Sequence, residues 1–219
     1  SLLAEDGAAH FARQALEGLP FPEVDAALRA ALEKTSDKPQ LQAGIIDSIG
    51  WRRDSESIEL LRPFLASTNL DLAITAASAL GRIGGAAVAP LRTANDQSHG
   101  APVSMLFRSV VQESLLQCAE TLHDADGTKL ASEICRGVFS QPASESIRVA
   151  AWRGLVLRDA QSAPGLVRTA LSGRDRSLQR AALGVVRELD DASILAACLG
   201  DWDDLPAESQ MALLDGSVQ

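Results

Sequence analysis

The sequence predicts an all-α fold, an α-α superhelix of about six antiparallel helix pairs that forms a single repeat domain over residues 1–219. Three observations predict it. The dipeptide Ala-Ala recurs at Ala76-Ala77, Ala150-Ala151 and Ala181-Ala182, at separations of 74 and 31 residues. Pro90 and Pro164 are also 74 residues apart, so a second and independent marker keeps the same phase. Apolar residues fall at helical spacing around each alanine pair. A fixed period of this size, with 74 read as two steps of 37, marks a helical repeat array.

Each unit reads as helix, tight turn, helix. The first covers Leu2–Lys34, with Pro20 and Pro22 in its internal turn, and the second Pro39–Ser67. The third, Asn69–Ala94, places Ala73, Ala76, Ala77, Leu80 and Ile83 on one helical face, and Gly84-Gly85 then breaks the helix. A shorter helix follows from Ala86, with Pro90 early in it, where a missing backbone donor is tolerated. The run Asn95–Pro102 is expected to be a loop. The fourth unit, Val103–Phe139, is the longest and least regular, because Glu113-Ser114 stands where the alanine pair is due. The fifth is Ser144–Ser172. The sixth, Arg176–Leu199, lines up Leu178, Ala181, Ala182, Val185, Val186 and Leu189 on one face, and Asp190-Asp191 starts its second helix. Ala207–Leu214 opens a seventh. The alanines are expected at points where first helices approach closely.

Composition narrows the classes. Hydrophobic residues make up 46% of the chain, too many for disorder, yet there is no Tyr and only 3 Trp and 5 Phe. Such a core suits close helix packing better than a β-sandwich. The net charge is −9 and the basic residues are dispersed, which argues against a phosphate-backbone grip and therefore against nucleic acid as partner. No run of 18 apolar residues occurs to span a membrane. The chain starts at Ser1 without Met and stops inside a repeat, so a piece of a longer protein is expected.

The stretch from Leu72 to Arg92, with its Ala-Ala-Ser-Ala-Leu-Gly helix, its Gly84-Gly85 turn and its Pro90-Leu91 step, resembles the short bacterial HEAT-like repeat of about 31 residues. That resemblance covers most of the chain and implies a HEAT-like or armadillo-type solenoid. A narrower one rests on His10–Pro20, Val24–Arg29, Ser48–Asp54 and Leu115–Glu120, which look like HEAT-repeat segments of large planctomycete and verrucomicrobial proteins. There the repeats accompany secreted sugar-acting or haem-binding modules, which implies an accessory, extracytoplasmic segment. Neither resemblance supplies a catalytic residue.

The residues themselves offer little chemistry. None of His10, His99 and His123 is followed by Glu, so the His-Glu pairs of the di-iron HEAT hydroxylases are missing, and no zinc spacing occurs. His10 beside Phe11 reads as a packing or capping residue. Gly81-x-x-Gly84-Gly85 ends a helix, so it is a turn and not a phosphate loop. Asp201-Trp202-Asp203-Asp204 reads as a helix start before Pro206, with calcium as the alternative. Cys118 and Cys135 read as small buried apolar residues, with a disulfide as the alternative. Arg174-Asp175-Arg176 reads as a turn pairing or a partner contact.

The candidate partner-binding residues are Trp51, Arg52, Arg53, Arg108 and Glu113. The two arginines in the turn after Ile49-Gly50 would cover carbonyls or meet a carboxylate of a partner. An exposed member of Trp51, Trp152 and Trp202 would be a binding hot spot, whereas a buried one braces repeats. The leading expectation is a non-catalytic scaffold without a cofactor, whose second helices line a concave face for a protein or peptide. The alternatives are a structural spacer beside a catalytic or haem-binding module, and a bilin-lyase-type HEAT enzyme. Function is expected at the irregular fourth unit and along the face beside it.

Overall fold

The computed structural model describes Leu3 and residues 7–98, 105–189, 191–200 and 202–216. Among the described residues every regular element is a helix. The pairs are α1 (Ala9–Glu17) with α2 (Pro22–Glu33), α3 (Pro39–Arg52) with α4 (Ile58–Leu61), α5 (Leu70–Ile83) with α6 (Val88–Gln97), α7 (Met105–Glu120) with α8 (Ala125–Phe139), α9 (Glu145–Arg158) with α10 (Ala163–Ser172), and α11 (Arg176–Leu189) with α12 (Ala192–Gly200). A further helix, α13 (Ala207–Gly216), follows. The expected succession of helices is therefore present. α4 is the shortest because 3-10 turns, Ser55–Ser57 and Arg62–Ala66, flank it. Pro63 lies in the second of these turns and has no backbone N–H to continue an α-helical ladder.

The chain divides into two compact units, residues 1–127 and 128–219. In the first, α1, α3, α5 and α7 pack side by side in chain order. The second helices lie against this row: α2 and α6 each pack on the first helix of the next pair, and the 3-10 turn after α4 packs on α5. The row is close because small residues meet in it. An added Cβ on Gly50 would stand 2.6 Å from the Ala79 Cα, and one on Gly81 would stand 2.8 Å from the Ser114 Cβ. Ala76, Ala77, Ala79 and Leu80 are fully buried there. Ser114, in the place where alanine was due, is buried too, so a small polar residue fills the same role. Asn69 starts α5 by accepting from the Asp71 and Leu72 amides at 3.1 and 3.4 Å. Gly84 ends it at φ 96°, a conformation that glycine adopts without steric cost.

In the second unit α9 packs on α11 and α11 on α13, while α10 touches α9, α11 and α12. Its core gathers Trp152, Val156, Val167, Leu171, Val185 and Ile194. Gly154 gives room to the Cys135 sulfur, which would lie 2.5 Å from an added Cβ. Helix starts are capped: Ser144 accepts from the Ile147 amide at 3.4 Å, Asp175 from the Ser177 and Leu178 amides, and Asp191 from the Ser193 amide at 2.7 Å.

Two expectations need correction. The run from Asn95 is not loop at its start: α6 continues to Gln97, Asn95 is buried, and the Ser98 hydroxyl donates to the Asn95 carbonyl at 2.6 Å. Turn-forming residue types occupy a last helical turn whose carbonyls they satisfy. The remainder of that run, like His99, Asp190 and Asp201, lies outside the described residues. Leu189 is exposed rather than on the buried face, because it is the last residue of α11, beyond its packed neighbours. Cys118, Cys135 and Cys198 are buried and not disulfide-bonded to one another. Burial pushes the Cys118 thiol up to about 12, which keeps it neutral as a small apolar side chain.

Close helix approach predicts opposite outcomes for two glycine-to-alanine changes. Gly81→Ala should lower stability by about 1–3 kcal/mol through overpacking against Ser114. Gly184→Ala, in the exposed middle of α11 with open space around it, should raise stability by about 0.5–1 kcal/mol. Urea titration followed by circular dichroism measures both.

Candidate functional site

The second helices of the first unit leave a groove between them. One wall is Glu59, Arg62, Pro63 and Ala66, spaced 0, 3, 4 and 7 along α4 and its 3-10 continuation. The other is Ala89, Thr93 and Gln97, spaced by 4 along α6. Both spacings put the residues on one helical face. Leu65, Pro90, Ala94 and Phe107 supply an apolar floor, and the space measures about 640 Å³. The rim is polar and holds one exposed ion pair, Arg62 to Glu59 at 3.2 Å. Such a pair lies in water and constrains the groove little.

One end of the groove is fixed by the irregular fourth unit. Phe107 of α7 is buried under it, and the neighbouring Arg108 donates to the Ser98 carbonyl at 2.6 Å. That bond ties the start of α7 to the end of α6, and Ser98 itself lines the groove. Met105 and Leu106, just before Phe107, are exposed. Apolar side chains therefore continue past the groove on this side.

The residues singled out from the sequence do not form one cluster. Arg52 is turned into its own unit. It forms an ion pair with Asp25 and donates to the carbonyls of Leu16, Glu17, Leu19 and Phe21, the last at 3.0 Å. Its guanidinium thus closes the carbonyl end of α1 and the turn to α2, and the Asp25 carboxylate raises its pKa further. Arg53 is exposed and ends α3 at φ 54°, the only positive φ on a non-glycine residue among the described residues. Gly84 also ends α5 with a positive φ, but at ψ −151° rather than in the left-handed helical region. Trp51 is 63% exposed, with the Arg82 guanidinium 5.2 Å from its ring centroid and held there by Asp47 at 2.7 Å. By contrast Trp152 is buried, and Trp202 packs on the core of the second unit. Arg108 braces the groove, and Glu113 is exposed on α7. The stripe of groove residues at 89, 93 and 97 was legible as a small and polar face of a second helix, but the alanine-rich first helices carry the stronger pattern.

Histidine chemistry is sparse here. His10 is exposed and meets the Phe11 ring edge-on at 5.7 Å, and His123 is exposed. Among the described residues no group of three His, Cys, Asp or Glu could hold a metal ion. No described helix is long and apolar enough to cross a membrane. Asp159, Asp175 and Asp191 have carboxyls held below the ordinary range, chiefly by hydrogen bonds from Ser162, Ser177 and Ser193. These are helix-capping acids.

Residues 24–104 match the family of HEAT repeats. The matched span runs from α2 through α6 and contains the groove walls, so these helix pairs are HEAT-like in sequence as well as in packing. No curated protein matches the chain.

Two predictions follow from the arginine turn and the capping acids. Arg52→Leu should cost about 2–3 kcal/mol, since it strips donors from several carbonyls and leaves Asp25 unpaired. Arg53→Gly should instead stabilise by about 1 kcal/mol by relieving the left-handed conformation. Chemical denaturation separates the two signs. The lowered carboxyls contribute stability that is complete above the unfolded value near ~4 and is lost as pH falls through their folded values. The urea midpoint of the second unit should accordingly drop from pH 6 to pH 3, and Asp175→Asn should show a smaller acid drop.

Proposed function

We propose that this chain is a non-catalytic interaction scaffold that binds a protein segment in the groove between α4 and α6. The groove carries the reading: two second-helix faces, an apolar floor and a polar rim suit an amphipathic or extended segment laid between them. The repeat family supports it, because stacked helix pairs of this kind commonly serve as protein-interaction scaffolds. Arg108 positions the groove end through Ser98, which gives the irregular fourth unit a part in the site. Trp51 and Arg53 form a second contact area on the first-helix layer, where the Trp51 ring is exposed and already carries the Arg82 guanidinium over it. The extracytoplasmic, accessory role belongs to the same proposal and rests on resemblance alone.

A peptide library displayed on phage and selected against the full chain tests the groove. Enriched peptides should carry an apolar anchor, and Thr93→Arg, at an exposed position on the groove wall, should weaken them at least tenfold without changing the circular dichroism spectrum. Equal enrichment on the wild type and on Thr93→Arg would remove the groove from the proposal, and loss on Trp51→Ala alone would move the site to the first-helix layer.

A further inference from the structure

The second unit contains a cavity that the groove reading does not use. It measures about 130 Å³ and lies where the end of α8, the middle of α9, α10 and the start of α11 meet. Phe139, Trp152, Leu166, Ala170 and Leu178 give it an apolar lining, and Trp152 is fully buried beneath it. Thr169, Gly173 and Asp175 stand at its rim. The Thr169 hydroxyl, the Gly173 carbonyl and the Asp175 carboxylate there already have partners. The Thr169 hydroxyl donates to the Gly165 carbonyl at 2.8 Å, and the Gly173 carbonyl accepts from the Gln179 amide at 2.6 Å. One Asp175 oxygen accepts from Ser177 and the Leu178 amide, and the other pairs with Arg148 at 2.5 Å.

We infer that this cavity is a binding site for a compact, neutral, apolar small molecule, about one six-membered ring in size. The size follows from the volume, since an apolar cavity of about 150 Å³ stays dry and takes up benzene. The neutrality follows from the rim. A charged or strongly polar ligand would lose its water for little in return, because the Thr169 hydroxyl, the Gly173 carbonyl and the Asp175 carboxylate are already bonded inside the unit. The Asp175 carboxylate, kept ionised by its hydrogen bonds, further disfavours an anion. The site is independent of the groove, which lies in the other unit.

Benzene is the probe. With the full chain in nearly saturated benzene, intermolecular NOEs should appear at the Trp152 ring and the Leu166 and Leu178 methyls, and the melting temperature should rise by about 3 °C. Ala170→Leu, which fills the cavity from a buried lining position, should abolish both effects. Should that variant fail to fold, Thr169→Phe, at an exposed rim position on α10, tests the same point by covering the mouth. No NOE at Trp152, or NOEs confined to other sites, overturns the inference. A melting shift that persists in the filled variant overturns it equally.

Discussion

Everything in the first unit depends on how closely α3, α5 and α7 lie to one another. The spacing is set by what is missing from Gly50 and Gly81, whose faces receive the backbone and short side chains of Ala79 and Ser114. Where backbones come this near, the alanines around them are fully buried, and dispersion contacts replace the large side chains the chain lacks. The approach also makes contacts that longer side chains would forbid. The Cys118 thiol, on α7, lies 3.9 Å from the Leu80 and Gly81 carbonyls of α5. The Thr121 hydroxyl reaches the Gly85 amide at 2.8 Å, so the end of α7 holds the turn of the preceding pair. A row packed in this way fixes the position of each second helix, and through them the width of the groove.

Charge reinforces the stacking by joining successive helix pairs. Arg82 on α5 meets Asp47 on α3, and Arg29 on α2 meets Asp54 after α3 at 2.5 Å. In the second unit Arg153 on α9 meets Glu188 on α11, and Arg148 meets Asp175. Such pairs are partly exposed and individually weak, but they are register marks: each joins helices that a slipped stack would separate. Asp54 shows the economy of the device, since it also accepts from the Ser57 hydroxyl at 2.5 Å and the Glu56 amide, and so caps the turn into α4 while pairing with Arg29. Several of the chain's basic groups are thus spent within the fold, which fits an acidic protein with dispersed cations.

The helix pairs were legible because the residues that set their phase are chemically unusual. Small residues such as Ala76 and Ala77 fit where first helices touch, and a proline is tolerated in the first turn of a helix, as Pro90 and Pro164 are, so both markers recur, although Ala150 of the second alanine pair is exposed. Ser114 was legible as an irregularity but not as a substitute, because its fitness lies in its size and not in its polarity. The turn-forming residues Asn95 to Ser98 misled for the opposite reason: their types favour a loop, while burial of Asn95 and Ser98 keeps them helical. The site was less legible. Arg52 is one exposed-looking letter in the sequence, yet four carbonyls and a carboxylate converge on it only after α1, α2 and α3 are packed.

That contrast separates two kinds of surface in this molecule. The first-helix layer is where sequence constraint concentrates, since each position there is limited by size against a neighbour. The second-helix face is constrained on its inner side, while its outer stripe at Ala89, Thr93 and Gln97 is exposed. A face free to vary without unfolding the stack can be tuned to a partner. The groove between α4 and α6 combines that freedom with a floor that the fold must bury in any case, Phe107, Pro90 and Ala94. In the scaffold we propose, the apolar depth comes from the repeat and the selectivity from the polar rim.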